Sequence, residues 1–253
     1  MIKVVILGAG NVGIHLYQSF KLTPEVDVIQ LFSRKPSKLD FIGNTTEVIS
    51  DYAELAKADI YILAVRDEAI SEVAQKLSIN KGLVVHTSGS VAMDNLSMLD
   101  NFGIFYPLQT FSKNKEVSFS DIPLCIEANS EENIAKLKEL GNIISSKVFE
   151  VNSEQRRALH LSAVIVNNFT NHLFTIAADY CHENELPFDI LRPLIQETFD
   201  KIQDLPPYDA QTGPALRNDE KTIETHLQML NEDRQIIYKA LTDSIQKTHG
   251  KKL

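Results

Sequence analysis

A run without Pro or Gly, from Ser153 to about Glu185, carries His160, Asn167, Asn168, Asn171 and His172 among largely apolar neighbours. His160, Asn167 and Asn171 follow one another at seven and then four residues, a spacing that keeps side chains on one face of an α-helix. Polar groups on one face of an otherwise apolar helix fit the wall of a cleft better than a core. An imidazole titrates near neutrality and suits a general acid, and carboxamides can orient a bound molecule. At about 1.5 Å per residue, His160 and Asn167 would stand ~10 Å apart along the axis, so they would grip different parts of a ligand. The competing reading of His160 is a structural histidine satisfied by its packing, and both stay open. A second candidate is Thr212-Gly213-Pro214-Ala215-Leu216-Arg217-Asn218-Asp219. There Gly213-Pro214 fixes a turn, Asn218 or Asp219 caps the next helix, and Arg217 either meets an anionic ligand group or forms a structural ion pair. A third is His86-Thr87-Ser88-Gly89-Ser90, where Thr87 and Ser88 serve as turn residues or as ligand contacts.

The elements that must position these groups begin at the N-terminus. Val4-Val5-Ile6-Leu7 is a short apolar run that reads as a strand buried on both faces, and Val12, Leu16 and Phe20 mark a helix from Asn11 to Lys21. Between them Gly8-Ala9-Gly10-Asn11-Val12-Gly13 matches GxGxxG. The bare pattern is weak, but a strand before it and a helix after it make it a dinucleotide-binding turn. In such a turn Gly8 permits the bend, Gly10 the approach of a pyrophosphate and Gly13 close packing of helix on strand. Sites for NAD place an acid at the end of the second strand. Here that strand, Val28 to Phe32, is followed by Ser33-Arg34-Lys35-Pro36-Ser37-Lys38, with no acid before Asp40. Ser33 and Arg34 suit a 2′-phosphate, with Lys35 or Lys38 adding charge, so NADP is the expected cofactor; a solvated basic loop is the alternative. The ends of later strands, at Val65 and Thr87, should line the same crevice, with Ser88 toward the substrate.

Further strands are expected at Glu47–Ile49, Ile60–Val65, Leu83–Val85, Gly103–Tyr106, Pro123–Ala128 and 148–151, alternating with helices. This rhythm implies a doubly wound α/β Rossmann sheet over residues 1–152. Residues 153–253 read as an all-helical domain: a helix to about Glu185, one from Pro187 to Asp204 kinked or shortened by Pro193, and a last stretch from Asp219 to about Lys247, broken near Asn231. The chain has 253 residues, 43% hydrophobic and 23% charged, with formal net charge −9. That acidity, with no basic run beyond Lys251-Lys252, argues against a nucleic-acid partner. Cys125 and Cys181, far apart and without CxxC spacing, argue against a disulfide framework or a zinc site. The short apolar N-terminal run lacks the cleavage site of a signal peptide, and no stretch has the length of a membrane span, so a cytoplasmic location is expected.

Taken together, GAGNVG, SRK, AVRDEAI, HTSGS, YPLQTF, LHLSAVIVNNF and TGPALRND resemble a little-characterised family of Rossmann-like NADP oxidoreductases whose C-terminal helical half is a domain of unknown function. The resemblance spans nearly the whole chain. This family is similar to pyrroline-5-carboxylate reductase, ketopantoate reductase, the NADP-reducing deazaflavin enzymes and the 6-phosphogluconate and 3-hydroxyacid dehydrogenases. It implies a helical domain like that of 6-phosphogluconate dehydrogenase, an active site in a cleft between the domains and a homodimer formed through the helices. Hydride transfer to a C=O or C=N bond then needs a proton donor and substrate anchors. His160 and Asn167 are the catalytic candidates, and Asn171, Arg217 and Ser88 the substrate-binding ones. Gly8, Ala9, Gly10, Asn11, Val12, Gly13, Ser33, Arg34, Lys35, Val65 and Thr87 are the cofactor-binding ones. The hydroxyacid dehydrogenases use a Lys with an Asn one turn later, where this sequence has His160 and Val164, so His160 substitutes by position only. Two rivals remain: a non-catalytic NADP(H)-binding regulator, and a site for FAD or S-adenosylmethionine, which the missing acid disfavours.

Overall fold

The computed structural model describes residues 1–250 except 37, 38, 40, 41, 43, 44, 78, 80, 81 and 114. Lys38, Asp40, Lys251 and Lys252 therefore lie outside the described residues. The chain divides into two compact units, Met1–Val166 and Asn167–Leu253.

The first unit is built on eight strands: β1 (Ile2–Leu7), β2 (Val26–Phe32), β3 (Glu47–Ile49), β4 (Ile60–Leu63), β5 (Leu83–His86), β6 (Phe102–Pro107), β7 (Leu124–Ala128) and β8 (Val148–Glu150). They form one sheet in the order β3-β2-β1-β4-β5-β6-β7-β8. All pairs are parallel except β6 with β7. The chain leaves β1 toward one side for β2 and later returns to its other side for β4. The crevice beyond the ends of β1 and β4 is thus the topological switch point where such sheets bind ligands.

Alternation along the strands explains why both faces are covered. Val4 and Ile6 join a core with Leu16 and Phe20 of α1 (Asn11–Lys21) and Leu137 and Leu140 of α3 (Glu131–Ile144). Val5 and Leu7 point the other way, into a core with Ile70 and Val73 of α2 (Ile70–Lys76). Strands buried on both faces read as continuous apolar runs, which is how β1, β4 and β5 appear in the sequence. After β3, Asp51 caps a 3-10 turn, Tyr52–Glu54, accepting from the Ala53 N–H. Asp67 caps nothing, because Arg66 precedes the 3-10 turn ahead of α2 and Asp67 turns to Ser90 instead.

The long helix expected from Ser153 is present but not uniform. It runs as α4 (Ser153–Ala163), a π-helical stretch (Val164–Phe169) and α5 (Thr170–Glu183). Asn152 caps it through a capping box with Gln155. Its first part belongs to the sheet unit, so the compact units part at Val166/Asn167 and not at 152. The reason is electrostatic. Ser153 and Arg156 both bond Glu127 of β7, and the Ser153 hydroxyl accepts from the Met93 N–H.

The second unit is helical: α5, α6 (Arg192–Asp204), α7 (Glu220–Gln228) and α8 (Glu232–His249). Pro193 goes with a shortened helix and not a kinked one: it sits in the first turn of α6, where its missing N–H costs nothing, and a 3-10 turn, Phe188–Leu191, precedes it. Asp219 caps α7 and Asn231 caps α8, the break expected near Asn231. Arg234 of α8 binds Glu183 of α5 through both terminal nitrogens and lies over the Tyr180 ring. Among the described residues no helix is long and apolar enough to cross a membrane.

Candidate functional site

The turn after β1 explains its three glycines separately. Gly8 has φ +123°, and a Cβ there would stand 2.2 Å from the Ala64 carbonyl oxygen. Gly13 would place a Cβ 2.0 Å from the Gly8 carbonyl oxygen, so α1 packs against the turn only without one. Gly10 differs. Its φ is −78°, open to any residue, and nothing lies within 4 Å of where its Cβ would be. The protein's own packing does not demand glycine there; a pyrophosphate drawn close to the backbone would. Gly10 also caps α1 without a side-chain hydrogen bond, and no acid sits in the first turn. The first N–H groups of α1 are therefore left for an anion. The Asn11 side chain is committed, donating to the Phe111 carbonyl at 2.8 Å, so its contribution to a phosphate is its backbone N–H. Ala9 and Val12 complete the turn, with Val12 packed against the core.

At the end of β2, the Ser33 N–H bonds the Ile49 carbonyl, and its hydroxyl oxygen accepts from the Lys35 N–H at 3.2 Å. The hydroxyl hydrogen stays available to a phosphate oxygen. Arg34 and Lys35 are exposed and make no ion pair among the described residues. Close by, Tyr52 stacks on Phe32 at 4.3 Å between ring centroids, and burial raises its hydroxyl pKa, with Lys76 and Arg34 opposing. No carboxylate occupies the position after Phe32 that would hold ribose hydroxyls.

On the other side of the switch point, the β5 loop is drawn tight. Thr87 donates to the Leu63 carbonyl from its N–H at 3.3 Å and its hydroxyl at 3.4 Å. Ser88 is buried, and its hydroxyl oxygen accepts from the Ser90 and Val91 N–H groups. Both residues thus build the loop. Val65 packs beside Gly8. His86 is fully buried; its Nδ1 accepts from the Ser88 N–H, and its Nε2 faces the Ala92 carbonyl at 3.4 Å. Burial, helped by Arg156, pushes its pKa down to about 4, so it is a neutral core histidine. Ser90 donates to Asp67, joining the loops after β4 and β5.

His160 meets this loop. Its Nδ1 lies 3.1 Å from the Tyr106 hydroxyl at the end of β6, with the rings at 70°. A Cβ on Gly89 would stand 2.5 Å from His160 Nδ1 and 2.8 Å from Tyr106 Cζ, so the loop reaches the pair only because residue 89 is glycine. Burial above all pushes the Tyr106 hydroxyl up to about 12, which keeps it protonated. Four residues before His160, on the same helical face, Arg156 is fully buried and bonds Glu127, the Val91 carbonyl and the Ser153 hydroxyl. Its Nε is buried without a partner among the described residues. With about 4.8 Å between strands, the ends of β1 and β6 lie ~14 Å apart, with β4 and β5 between them.

The sheet unit therefore brings together the glycine turn, Ser33, Arg34, Lys35, Val65, Thr87, Ser88 and His160. Asn167, Asn171 and Arg217 belong to the second unit and are exposed. The expectation that His160, Asn167 and Asn171 share one α-helical face does not carry over, because the π-helical turn Val164–Phe169 interrupts the 3.6-residue period. Arg217 follows the Gly213-Pro214 turn and forms no ion pair among the described residues, while Asp219 bonds Thr222. Sequence reading missed Tyr106, Gly89, Glu127 and Arg156. Tyr106 and Gly89 stand inside the motifs YPLQTF and HTSGS, yet nothing in either shows that they meet His160.

Comparison with known proteins gives the family and the fold. The family model described as semialdehyde dehydrogenase, NAD binding domain, matches residues 3–137, and that described as domain of unknown function (DUF2520) matches residues 122–245. A structure from Bacteroides fragilis, named "putative NADP oxidoreductase", is 39% identical and superposes with a TM-score of 0.88, covering 97% of this chain and 98% of that one. An imine reductase of Streptomyces aurantiacus (14% identity, TM-score 0.72, 97% and 93% covered) shares the fold. So does the 1-pyrroline-5-carboxylate reductase of Streptococcus pyogenes (14%, 0.64, 99% and 97%). No curated protein matches the chain.

Proposed function

The chain belongs to the oxidoreductase family that joins the semialdehyde dehydrogenase NAD-binding domain to the C-terminal domain DUF2520, and from that premise we propose that it is an NADPH-dependent reductase of a carbonyl or imine in a small anionic metabolite. The observation that carries this reading is the pairing of two features at one edge of one sheet. One is a glycine turn whose middle glycine leaves room only a ligand needs. The other is an imidazole held at the end of β6.

Bound at the turn, NADPH would supply a hydride from its nicotinamide C4. Backbone N–H groups at Gly10 to Gly13 would receive its pyrophosphate, and Ser33, Arg34 and Lys35 its 2′-phosphate. His160 Nε2 would give a proton to the oxygen or nitrogen of the substrate bond being reduced. In this proposal Asn167 is the candidate for orienting the reacting group, and Asn171 and Arg217, also exposed in the helical unit, are the candidates for the substrate's anionic end. Ser88 shapes the loop beneath it. A covalent thiol route has little support: Cys125 is buried in β7, and burial pushes its thiol up, away from a reactive thiolate. Support for a homodimer through the helices comes from exposed apolar side chains of the second unit, among them Ile190, Leu194, Phe199 and Ile202. Two free cysteines fit a cytoplasmic setting.

Absorbance of NADPH during incubation with a panel of 2-keto and cyclic imino acids tests the reading. Consumption with at least one member, lost in His160→Ala and weakened through KM in Arg217→Ala, supports it. Binding of NADPH with no consumption, indifferent to both substitutions, points to a regulator that senses NADP redox state.

A further inference from the structure

We propose that Tyr106 is the positioning residue of this site: its hydroxyl fixes the His160 ring so that Nε2–H is the group turned to the substrate in both protonation states of the imidazole. The proposal rests on the reductase reading for its function, but not for its geometry.

Three observations carry it. First, the Tyr106 hydroxyl makes one hydrogen bond among the described residues, to His160 Nδ1 at 3.1 Å, and Nε2 makes none on its half-buried ring. Second, the pair is held from three sides. Tyr106 sits at the end of β6, opposite Cys125 of β7. Arg156, one turn before His160, is tied to Glu127 on that same strand β7. Gly89 closes the third side, with no room for a methyl group between the loop and either ring. Neither ring can swing toward the loop that carries Ser88 and Ser90 without meeting Gly89.

Third, counting protons selects one arrangement. The phenol keeps its hydrogen throughout the ordinary pH range, since its buried setting disfavours the phenolate. If a neutral His160 carried its proton on Nδ1, that N–H would face the phenol oxygen, and the phenol hydrogen would turn away from its one acceptor. If the proton is on Nε2, the phenol donates to the Nδ1 lone pair and Nε2–H is left free for a ligand. When the ring is protonated, the phenol rotates and its oxygen accepts from Nδ1–H. A hydroxyl can serve as donor or acceptor, so the same contact fits both states, and Nε2–H is presented in each. After a protonated ring gives up its Nε2 proton to the reduced substrate, Nδ1 briefly holds the remaining proton against the phenol oxygen, a passing state and not the resting neutral ring. Uptake of a solvent proton at Nε2 restores the ring. No phenolate and no further co-reactant are required.

The experiment reads the tautomer directly. Protein carrying 15N-histidine is studied by long-range 1H–15N correlation at a pH where imidazoles are neutral, without cofactor or substrate, and His160 is assigned by its loss in His160→Gln. The expected result is a single Nε2–H tautomer in the wild type. In Tyr106→Phe the ring should move to a mixture, as in a free imidazole. Gly89→Ala, which forces the two rings apart, should give the same mixture and serves as an independent route should Tyr106→Phe fold poorly. With a turned-over substrate in hand, Tyr106→Phe should lower kcat about tenfold, leave NADPH affinity unchanged, and recover nothing on raising substrate. An Nδ1–H tautomer in the wild type, or identical spectra in wild type and both variants, overturns the proposal, as does an unchanged kcat. If the tautomer is fixed as expected and NADPH is still never oxidised, the reductase reading falls while the Tyr106 assignment stands.

Discussion

At the scale of single residues, the glycines of the first turn separate structural from ligand-driven requirements. Gly8→Ala should cost more than about 2 kcal/mol, because it strains a φ of +123° and drives a methyl into the Ala64 carbonyl. Gly10→Ala should leave urea unfolding nearly unchanged and weaken NADPH at least tenfold, about 1.4 kcal/mol. Equal effects of the two on stability would contradict the distinction. His86 makes a pH prediction. Its folded value of about 4 lies below the 6.5 of an ordinary imidazole, so the unfolded chain takes up that proton first. Stability should therefore fall as pH drops from about 6.5 to 4, by at most ~3 kcal/mol, and His86→Asn should remove that part of the slope in urea titrations. The glycines were legible because their neighbours narrow what they can do, and His160 was legible as a candidate by its type. Tyr106 was not. A tyrosine closing an apolar strand looks like core, and only the fold sets it against a histidine 54 positions later.

At the scale of elements, strands and helices were readable because the sheet is buried on both faces and the helices carry one apolar stripe. All eight strands fall where apolar runs predict them. Two features escaped that reading. The π-helical turn Val164–Phe169 leaves no mark in an apolar run, so the shared face of His160, Asn167 and Asn171 was inferred from a period the helix does not keep. Arg156 lies in the first turn of a polar helix start, where a charge ordinarily meets water, yet its side chain has no exposed surface. The Arg156–Glu127 pair fastens α4 to β7, and it explains why the compact sheet unit extends to Val166. Glu127→Gln leaves that guanidinium buried without its counter-charge. It should lower stability by roughly 3–5 kcal/mol and raise amide exchange in the loop around Val91, whose carbonyl Arg156 also holds. A loss below 1 kcal/mol would show that the pair is replaceable by water and does not fasten the helix.

At the scale of the molecule, an acidic two-unit chain places its nucleotide determinants in the sheet unit and the remaining candidate anchors, Asn167, Asn171 and Arg217, in the helical one. The architecture was legible from the change of rhythm after residue 152, while the substrate was not, since this fold hosts many chemistries. The helical unit exposes Leu194, Phe199 and Ile202, and a homodimer that covers them should sediment at twice the monomer mass; Leu194→Asp with Ile202→Asp should yield monomers. Everything proposed for catalysis depends on NADPH lodging at Gly8–Gly13 with its 2′-phosphate at Ser33 and Arg34. Fluorescence titration of the protein with NADPH and with NADH measures this directly. NADPH should bind at least tenfold more tightly, a difference of about 1.4 kcal/mol or more, and Arg34→Ala should erase most of that preference while leaving NADH unaffected. Equal binding of the two, or no binding of either, would contradict it.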